Sequence, residues 1–182
     1  MGDAVLRELD LRPDMEVLDF GCGTGLVTLK LQPRVSTITG ADSSEGMIAI
    51  LREKIKGLGL TNVLTQHVDF EKGGRVEGSF DLVVSSMTLH HVADTETLIR
   101  HWHGLLRPEG RLCFADLDTE DGSFHSDNTG VFHKGFDREK LKELLRKTGF
   151  REVRDLTATS VVREGEGRVR REYPVFLIIG KK

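Results

Sequence analysis

The feature that most constrains the fold is a glycine-rich stretch that follows an apolar run near the start of the chain. Residues Val17–Gly25 read VLDFGCGTG, so the apolar run is followed by glycine at every second position. Gly21, Gly23 and Gly25 permit positive φ angles and let another molecule approach the main chain closely. One or two glycines suffice for a tight turn. The spacing therefore predicts a ligand-binding loop directly after a buried strand.

Short apolar runs alternate with helical patterns along the first 150 residues. Strands are predicted over Glu16–Phe20, Val35–Ala41, Val63–Asp69, Phe80–Ser86 and Arg111–Ala115. Helices are predicted over Thr24–Leu31, over Ser44–Leu58, after a cap at Asp94, and over Asp137–Thr148. This alternation predicts an α/β domain with a parallel sheet covered on both faces, and residues 1–182 are assigned to that single domain. Ligands of such sheets bind at the carboxyl ends of the strands.

Three further segments complete the predicted organisation. Glu152–Arg163 and Arg171–Gly180 are strand-like runs on either side of Glu164-Gly165-Glu166-Gly167, which indicates a hairpin. Leu117–Gly135 is rich in Asp, Ser, Gly and His and is predicted to be irregular. Within the helices, the predicted core stripes are Met47, Leu51, Ile55 and Leu58, and then Leu98, Trp102, Leu105 and Leu106, with His101 and His103 at the surface.

Composition excludes several classes of protein. The 182 residues are 38% hydrophobic and 30% charged, which is typical of a globular domain. No apolar run is long enough to span a bilayer, and the start lacks the pattern of a secretory signal. A net charge of −3 with scattered basic residues argues against nucleic acid as a partner. Two cysteines, Cys22 and Cys113, without CxxC spacing favour a cytoplasmic protein with free thiols.

Two classes of nucleotide ligand compete for the glycine loop. Dinucleotide-binding folds use GxGxxG, whereas the glycines here follow GxGxG, with Leu26 where the last dinucleotide glycine would stand. A P-loop ends in Gly-Lys-Ser/Thr, which Thr24-Gly25-Leu26 does not supply. A tight turn that binds no ligand is the remaining explanation.

At these residues the chain resembles the class I S-adenosylmethionine-dependent methyltransferases, over essentially its whole length. VLDFGCGTG is similar to the first motif of that family. Further similar pieces follow in order: GADSSEGMI (Gly40–Ile48), HVDF (His67–Phe70), FDLVVSSMTLHHV (Phe80–Val92) and LRPEGRLCFAD (Leu106–Asp116). The resemblance implies S-adenosyl-L-methionine as cofactor. It also implies a Rossmann-like, doubly wound seven-stranded sheet in the order 3-2-1-4-5-7-6, with strand 7 antiparallel.

Asp42 ends the second predicted strand, where a carboxylate can accept hydrogen bonds from both ribose hydroxyls of a cofactor. Its alternative role is to cap the helix that follows Ser43 and Ser44. Dinucleotide-binding folds place an acid similarly, so Asp42 alone does not separate the two ligand classes. The three loop glycines lie at the same edge and keep side chains away from the methionine and ribose portions of the cofactor. We therefore assign Asp42 and Ser43 to the cofactor site.

The adenine and methionine ends of the cofactor have their own candidates. The resemblance implies that Asp69 accepts a hydrogen bond from the adenine amino group and that Phe70 or Met47 packs against the ring. Met47 also fits a helical core stripe. Asp19 is expected to hold the amino group of the methionine portion, or else to bond to loop amides. Ser85 is expected to offer its backbone to the same amino group.

Methyl transfer from a sulfonium is an in-line displacement that relies mainly on positioning, and it needs a base only if the acceptor carries a proton. Histidine titrates near neutrality, which suits a base. The candidates are His90 and His91 after strand four and His125 and His133 after strand five, and we select His91 and His133 as catalytic. A solvated or structural role is the alternative for each. A zinc site from these four has no ligand-spacing signature, so no metal site is predicted.

The acceptor is expected to be a small molecule. TLHHV and FDREKLKELLRKTGF look most like the small-molecule branch of the family, and the Asn/Asp-Pro-Pro-Tyr motif of nucleic-acid amino methylation is absent. Few residues precede the first strand, so any lid comes from the N-terminus and Leu117–Gly135, from a second subunit of a homo-oligomer, or from a longer parent chain. Two alternatives stay open: a non-catalytic cofactor-binding domain that acts as a sensor or partner subunit, and an NAD(P)-dependent oxidoreductase.

Overall fold

The computed structural model describes residues 2–164 and 170–182. Its strands are β1 (Glu16–Phe20), β2 (Thr37–Asp42), β3 (Val63–His67), β4 (Phe80–Ser86), β5 (Leu106–Leu117), β6 (Arg151–Glu164) and β7 (Arg170–Lys181). They form one sheet in the order β3-β2-β1-β4-β5-β7-β6, in which β7 runs antiparallel to both neighbours and the pairs among β1 to β5 are parallel. The predicted strand order and the antiparallel seventh strand are confirmed.

The predicted hairpin near the carboxyl end is present as the pairing of β6 with β7, which reaches Glu164 and Arg170. Residues 165–167 of its predicted turn lie outside the described residues. Because β7 returns between β5 and β6, the last strand in the chain is not the last strand of the sheet.

Helices cover both faces of the sheet, as predicted. In the described chain they are α1 (Gly2–Glu8), α2 (Thr28–Leu31), α3 (Glu45–Leu58), α4 (Thr95–Leu105) and α5 (Arg138–Thr148). One core cluster joins α4 and α5 to the sheet and includes Trp102, and a second joins α1 and α2 and includes Val5 and Leu31. A third, smaller cluster holds the buried residues of α3. Neighbouring residues of β1 point to opposite clusters, since Leu18 belongs to the first and Val17 to the second.

Capping residues define the two ends of α3. Ser44 is the N-cap, with its hydroxyl oxygen accepting from the Met47 amide at 3.3 Å, and Gly59 ends the helix with a φ of 64°. The predicted core stripe of α3 is wrong at its two ends, because the buried residues are Ile48 and Leu51 whereas Met47 and Leu58 are 42% and 64% exposed.

Several element boundaries differ from the predicted ones. Helix α2 begins at Thr28 rather than Thr24, because Gly25 has a φ of 88° and cannot continue a right-handed helix. Strand β3 ends at His67, two residues early. Leu106, predicted to lie on a helical face, is the first residue of β5.

The histidines on either side of Trp102 in α4 are half-buried, whereas the prediction placed them at the surface. His101 Nε2 is buried without a hydrogen-bond partner in the described structure, and its ring lies 5.7 Å from that of Phe70. The His103 ring meets Phe150 edge-on at 4.9 Å. The prediction failed because α4 buries Trp102 completely, which brings both flanking rings against aromatic neighbours.

Helix α1 was not predicted, and it forms from the residues that precede β1. Its side chains Ala4 and Val5 are buried in the core cluster shared with α2, and Asp3 pairs with Lys30 of that helix. The N-terminal segment is therefore part of the packed domain. Throughout the described residues, every helix is too short or too polar to serve as a membrane-spanning segment.

Candidate active site

A cavity of about 460 Å³ opens at the carboxyl ends of β1, β2 and β4. Its walls are the first two loop glycines, the end of β2 with the start of α3, residues 68–71 after β3, and parts of residues 87–92 after β4. This is the edge at which parallel α/β sheets bind ligands. Neither α1 nor residues 117–135 line this cavity, so the two segments expected to form a lid do not cover it in this structure.

The three loop glycines all have positive φ, at 71°, 52° and 88°, but they face different surroundings. A Cβ on Gly21 would lie 2.1 Å from Thr88 Oγ1, and a Cβ on Gly25 would lie 2.5 Å from Leu51 Cδ1 of α3. A Cβ on Gly23 would meet nothing within 4 Å. Gly25 does not line the cavity, so its structural role is close packing against α3, while Gly21 and Gly23 form the cavity wall.

Asp42 joins the glycine loop to the start of α3. Its Oδ2 accepts from the Gly23 amide at 2.8 Å and its Oδ1 accepts from the Ser44 amide at 2.9 Å. A carboxylate has about four acceptor positions, so these two bonds leave capacity for hydroxyl donors from the cavity. The N-cap of α3 is Ser44 rather than Asp42, whose Oδ1 accepts from the amide of that capping residue. Ser43 also lines the cavity.

The far wall of the cavity carries the residues assigned to the adenine ring. Asp69 is paired with Lys72 at 2.9 Å, and that hydrogen bond lowers the pKa of the Asp69 carboxyl. The Arg75 guanidinium lies 4.3 Å from the centre of the Phe70 ring. Met47 lines the same cavity with its side chain exposed rather than packed in the core. The structure therefore brings Asp69, Phe70 and Met47 together around one space.

Two other predicted cofactor residues do not reach the cavity wall. Asp19 is buried, and its Oδ2 accepts from the Thr28 hydroxyl at 2.6 Å instead of from loop amides. Burial raises the pKa of Asp19 to about 6. Ser85 is buried as well, and its hydroxyl donates to the Phe20 carbonyl at 2.8 Å. Both residues lie directly behind the loop and strand ends that form the wall.

The irregular segment after β5 folds back onto the turn after β4. The amides of Phe132 and His133 donate to the His90 carbonyl at 2.9 and 3.2 Å. His91 Nδ1 lies 2.8 Å from the Gly130 carbonyl oxygen. Because a carbonyl can only accept, Nδ1 carries the proton, and His91 keeps a lone pair on Nε2. His91 is exposed and lines the cavity, which makes it a base of suitable type at the cavity wall.

A buried acid–histidine pair lies beside His91. His90 Nδ1 is 2.7 Å from Asp116 Oδ1, and neither side chain is more than 1% exposed. His90 Nε2 lies 3.2 Å from His125 Nε2. Burial, together with the positive charge that His90 and His91 would carry, lowers the pKa of His125. The structure thus gathers three of the four loop histidines into one cluster next to the cavity.

The fourth histidine, His133, points elsewhere, which corrects its selection as a catalytic candidate. Its Nε2 lies 3.0 Å from the Val92 carbonyl oxygen and its ring stacks at a tilt on Phe136 at 5.0 Å. It does not line the cavity. Sequence position alone favoured it, because it lies in a long loop, but the hydrogen bonds of that loop to His90 turn the ring away.

Sequence reasoning did not single out Met87, Thr88 and Asp116. Met87 and Thr88 line the cavity, and Met87 has a φ of 57°, which is uncommon for a residue other than glycine. Both follow β4 directly, a position that predicts proximity to a ligand in any parallel sheet. Asp116 was quoted only as part of a motif. The sequence feature that could have identified Asp116 is an acidic residue within the otherwise apolar end of β5, at the same edge of the sheet as the two adjacent histidines.

Comparisons with known proteins identify the family of the chain. The profile of the methyltransferase domain family matches residues 17–110, which is more than half of the chain. An uncharacterized methyltransferase of Schizosaccharomyces pombe is 36% identical over 135 residues, covering 66% of this chain and 48% of its own length. An O-methyltransferase of Pyrenophora dematioidea is 32% identical over 155 residues, covering 81% of this chain and 58% of its own. The chain therefore spans about half of the length of these relatives.

Solved structures show the same fold. Phosphoethanolamine N-methyltransferase 2 of Haemonchus contortus, in complex with S-adenosyl-L-methionine, superimposes with a TM-score of 0.79 at 16% identity, over 100% of this chain and 52% of that one. The strand order also departs from the 3-2-1-4-5-6 order typical of dinucleotide-binding folds, because β7 is inserted as an antiparallel strand. The chain belongs to the class I S-adenosylmethionine-dependent methyltransferases, a family of enzymes whose cofactor is S-adenosyl-L-methionine.

Proposed function

We propose that this chain transfers the methyl group of S-adenosyl-L-methionine to a small-molecule acceptor, with His91 as the base on the acceptor side. The observation that carries the proposal is the composition of one cavity. Its walls combine the glycine loop, Asp42 and the pair Asp69 and Phe70 with a histidine that has a free Nε2 lone pair. These are the groups needed to hold a nucleoside and to accept a proton.

The cofactor would lie along the wall from β3 to β1. Asp42 has unused acceptor capacity for the ribose hydroxyls, and the open space at Gly23 admits the ribose and methionine portions against the backbone. Asp69, Phe70 and Met47 surround the space for adenine. The remaining wall, which includes Thr88 and His91, is left for the sulfonium methyl and the acceptor.

The reaction itself would need one proton transfer and one displacement. The acceptor X–H gives its proton to His91 Nε2, and the electron pair of X attacks the methyl carbon in line with the carbon–sulfur bond. The broken bond leaves its electrons on sulfur, which becomes the neutral thioether of S-adenosylhomocysteine. The protonated imidazole is stabilised at Nδ1–H by the Gly130 carbonyl. Most of the acceleration would come from alignment of the acceptor with the methyl group.

A small acceptor carrying a hydroxyl fits the surroundings best. The cavity volume lies within the range of ordinary small-molecule sites. The net charge of −3 supports neither a nucleic-acid nor an anionic-membrane partner. The relative from Pyrenophora is named an O-methyltransferase, which supports an oxygen acceptor, and a hydroxyl is an acceptor that benefits from a base.

Both cysteines are buried and unpaired, which supports residence in the reducing cytoplasm.

Two measurements test the proposal in sequence. Isothermal titration with S-adenosylmethionine, S-adenosylhomocysteine and NAD is expected to show binding of the first two ligands and none of NAD. A metabolite extract is then incubated with the protein and methyl-labelled cofactor, and labelled products are separated. Labelled small molecules that depend on His91 would support the proposal. Binding without any transferred label would favour a sensor or partner subunit, and preference for NAD would contradict the cofactor assignment.

A further inference from the structure

Three histidines from two separate segments meet beside the cavity. His90 and His91 follow β4, whereas His125 belongs to the segment after β5. One ring nitrogen of each lies within 4.8 Å of the other two. The rings are mutually close as well, with centroids 4.1 to 5.5 Å apart. Three imidazoles at this separation are a set of nitrogen ligands typical of a divalent metal ion.

The hydrogen bonds of two of the rings select the tautomer that a metal requires. His90 Nδ1 faces the Asp116 carboxylate at 2.7 Å and His91 Nδ1 faces the Gly130 carbonyl at 2.8 Å. Both partners accept, so both Nδ1 atoms donate and both Nε2 atoms keep a lone pair. A carboxylate or carbonyl on the far nitrogen is the usual outer partner of a metal-binding histidine, because it fixes the ring and raises its basicity.

The distance between two of the rings and the burial of the cluster fit a tetrahedral ion. With metal–nitrogen bonds of 2.0–2.1 Å, two ligands of a tetrahedral zinc lie about 3.3 Å apart. The His90 and His125 Nε2 atoms are 3.2 Å apart. His90 and Asp116 are almost wholly buried, whereas His91 is exposed and lines the cavity. Three ligands on the protein side would leave the fourth position open toward the cavity.

We propose that His90, His91 and His125 form a binding site for a divalent cation of the zinc class, with Asp116 as the outer partner of His90. The competing explanation is a hydrogen bond from His125 Nε2–H to the His90 Nε2 lone pair, with no ion involved. The two explanations differ in the role of His91. The metal site requires His91 as a ligand, whereas the hydrogen bond between His125 and His90 does not involve it.

The proposed site does not depend on methyl transfer, but it affects the base assigned above. A metal ion and a proton would compete for the same Nε2 lone pair of His91. A loaded site would therefore leave no base at that position. Zinc is then expected to inhibit transfer to a protonated acceptor, and this effect is separable from the binding measurement, which uses no substrate.

The test is metal binding by the full chain after treatment with a chelator. Zn²⁺ affinity is measured by competition with a chromophoric chelator, and Co²⁺ is added separately to record its visible absorption, which is intense for tetrahedral coordination. His125→Ala and His91→Ala should each lower the Zn²⁺ affinity by more than the 10–100-fold typical of an outer-partner loss, and Asp116→Asn should lower it by about 10–100-fold.

His133→Ala is the matched control, because His133 lies near the cluster and bonds to Val92 instead of joining it. This variant should bind Zn²⁺ with parental affinity and give the parental cobalt spectrum. His91 is exposed, so its variant is expected to fold, and thermal unfolding of the metal-free proteins checks all four variants. Equal affinity in the parent, His91→Ala and His125→Ala would overturn the proposal and leave the hydrogen bond as the explanation. An equal loss in His133→Ala would overturn it as well.

Discussion

The Asp42 carboxylate accepts a hydrogen bond from the Gly23 amide, with 2.8 Å between Oδ2 and the nitrogen, across 19 residues of chain. The contact joins the end of β2 to the loop after β1, so the two elements assigned to the cofactor hold each other in place. Asp42 also accepts from the Ser44 amide, which orients the first turn of α3. An acid and a glycine that were separate predictions from the sequence are therefore one structural unit.

The open space at Gly23 predicts that a methyl group there blocks the cofactor. Gly23→Ala is expected to abolish binding of S-adenosylhomocysteine in a calorimetric titration, because its Cβ would occupy the cavity. Gly59→Ala is the matched control, since Gly59 also has a positive φ and open space around it but ends α3 away from the cavity. Each variant should lose about 1–2 kcal/mol of stability from the left-handed backbone. Parental binding by Gly23→Ala would contradict the placement of the cofactor.

Removal of the Asp42 carboxylate should weaken cofactor binding through the ribose. Asp42→Ala is expected to cost on the order of 1–3 kcal/mol of binding free energy, because charged hydrogen bonds to the diol are lost. A cofactor analogue without the two ribose hydroxyls separates this effect from loosening of the loop. The parent and Asp42→Ala should bind that analogue with similar affinity. An equal loss for both ligands would show that Asp42 acts only on the loop.

His91 and His133 should differ in their effect on turnover. His91→Ala is expected to lower methyl transfer to a hydroxyl acceptor by ~10²–10⁴-fold, because the base is lost. His133→Ala should stay within a few-fold of the parent, since its ring is bonded to Val92 and does not reach the cavity. Affinity for S-adenosylhomocysteine should be unchanged in both. The variants are compared by their initial rates from pH 6 to 9 in the presence of a chelator. Parental rates in His91→Ala would exclude His91 as the base.

The buried Asp19 carboxyl should make stability depend on pH. Burial raises its pKa to about 6 from the model-compound value of 3.8, so the folded state binds the proton more tightly than the unfolded state. Stability is therefore expected to fall as pH rises from 4 to 6, by on the order of 3 kcal/mol for this group. Urea unfolding of the parent and Asp19→Asn at several pH values isolates the effect, because Asn still accepts from Thr28. The difference in unfolding free energy should grow in favour of Asp19→Asn across that window. A difference that stays constant with pH would contradict the raised pKa of Asp19.

Local patterns were sufficient to predict the alternation of strands and helices and one side of the cavity, whereas the strand order was implied by the family resemblance. Strands β1 and β4 were predicted with their observed bounds, because a short apolar run that ends in Asp, Ser or Gly defines a buried strand without long-range information. The same holds for Asp42, which is the last residue of β2. Such residues meet at one edge because parallel strands all end there.

Helix faces were less determined by the sequence. The predicted stripe on α3 placed Met47 and Leu58 in the core, but α3 packs through Ile48 and Leu51 against the glycine loop and β2. A hydrophobic stripe of several side chains is compatible with more than one rotation of a helix. The shape of the surface that it meets selects one of them.

The sequence by itself determined the alternation of strands and helices and the glycine and acid positions at the strand ends, because each depends on neighbours within a few residues. It also determined the family, through a set of motifs that follow one another in order along the chain. Only the tertiary structure decided which histidines meet. His125 reaches His90 across 35 residues while His133 turns away. Their segment has no hydrophobic period, and its path is set by hydrogen bonds to the His90 carbonyl, a contact between distant parts of the chain that no local pattern encodes.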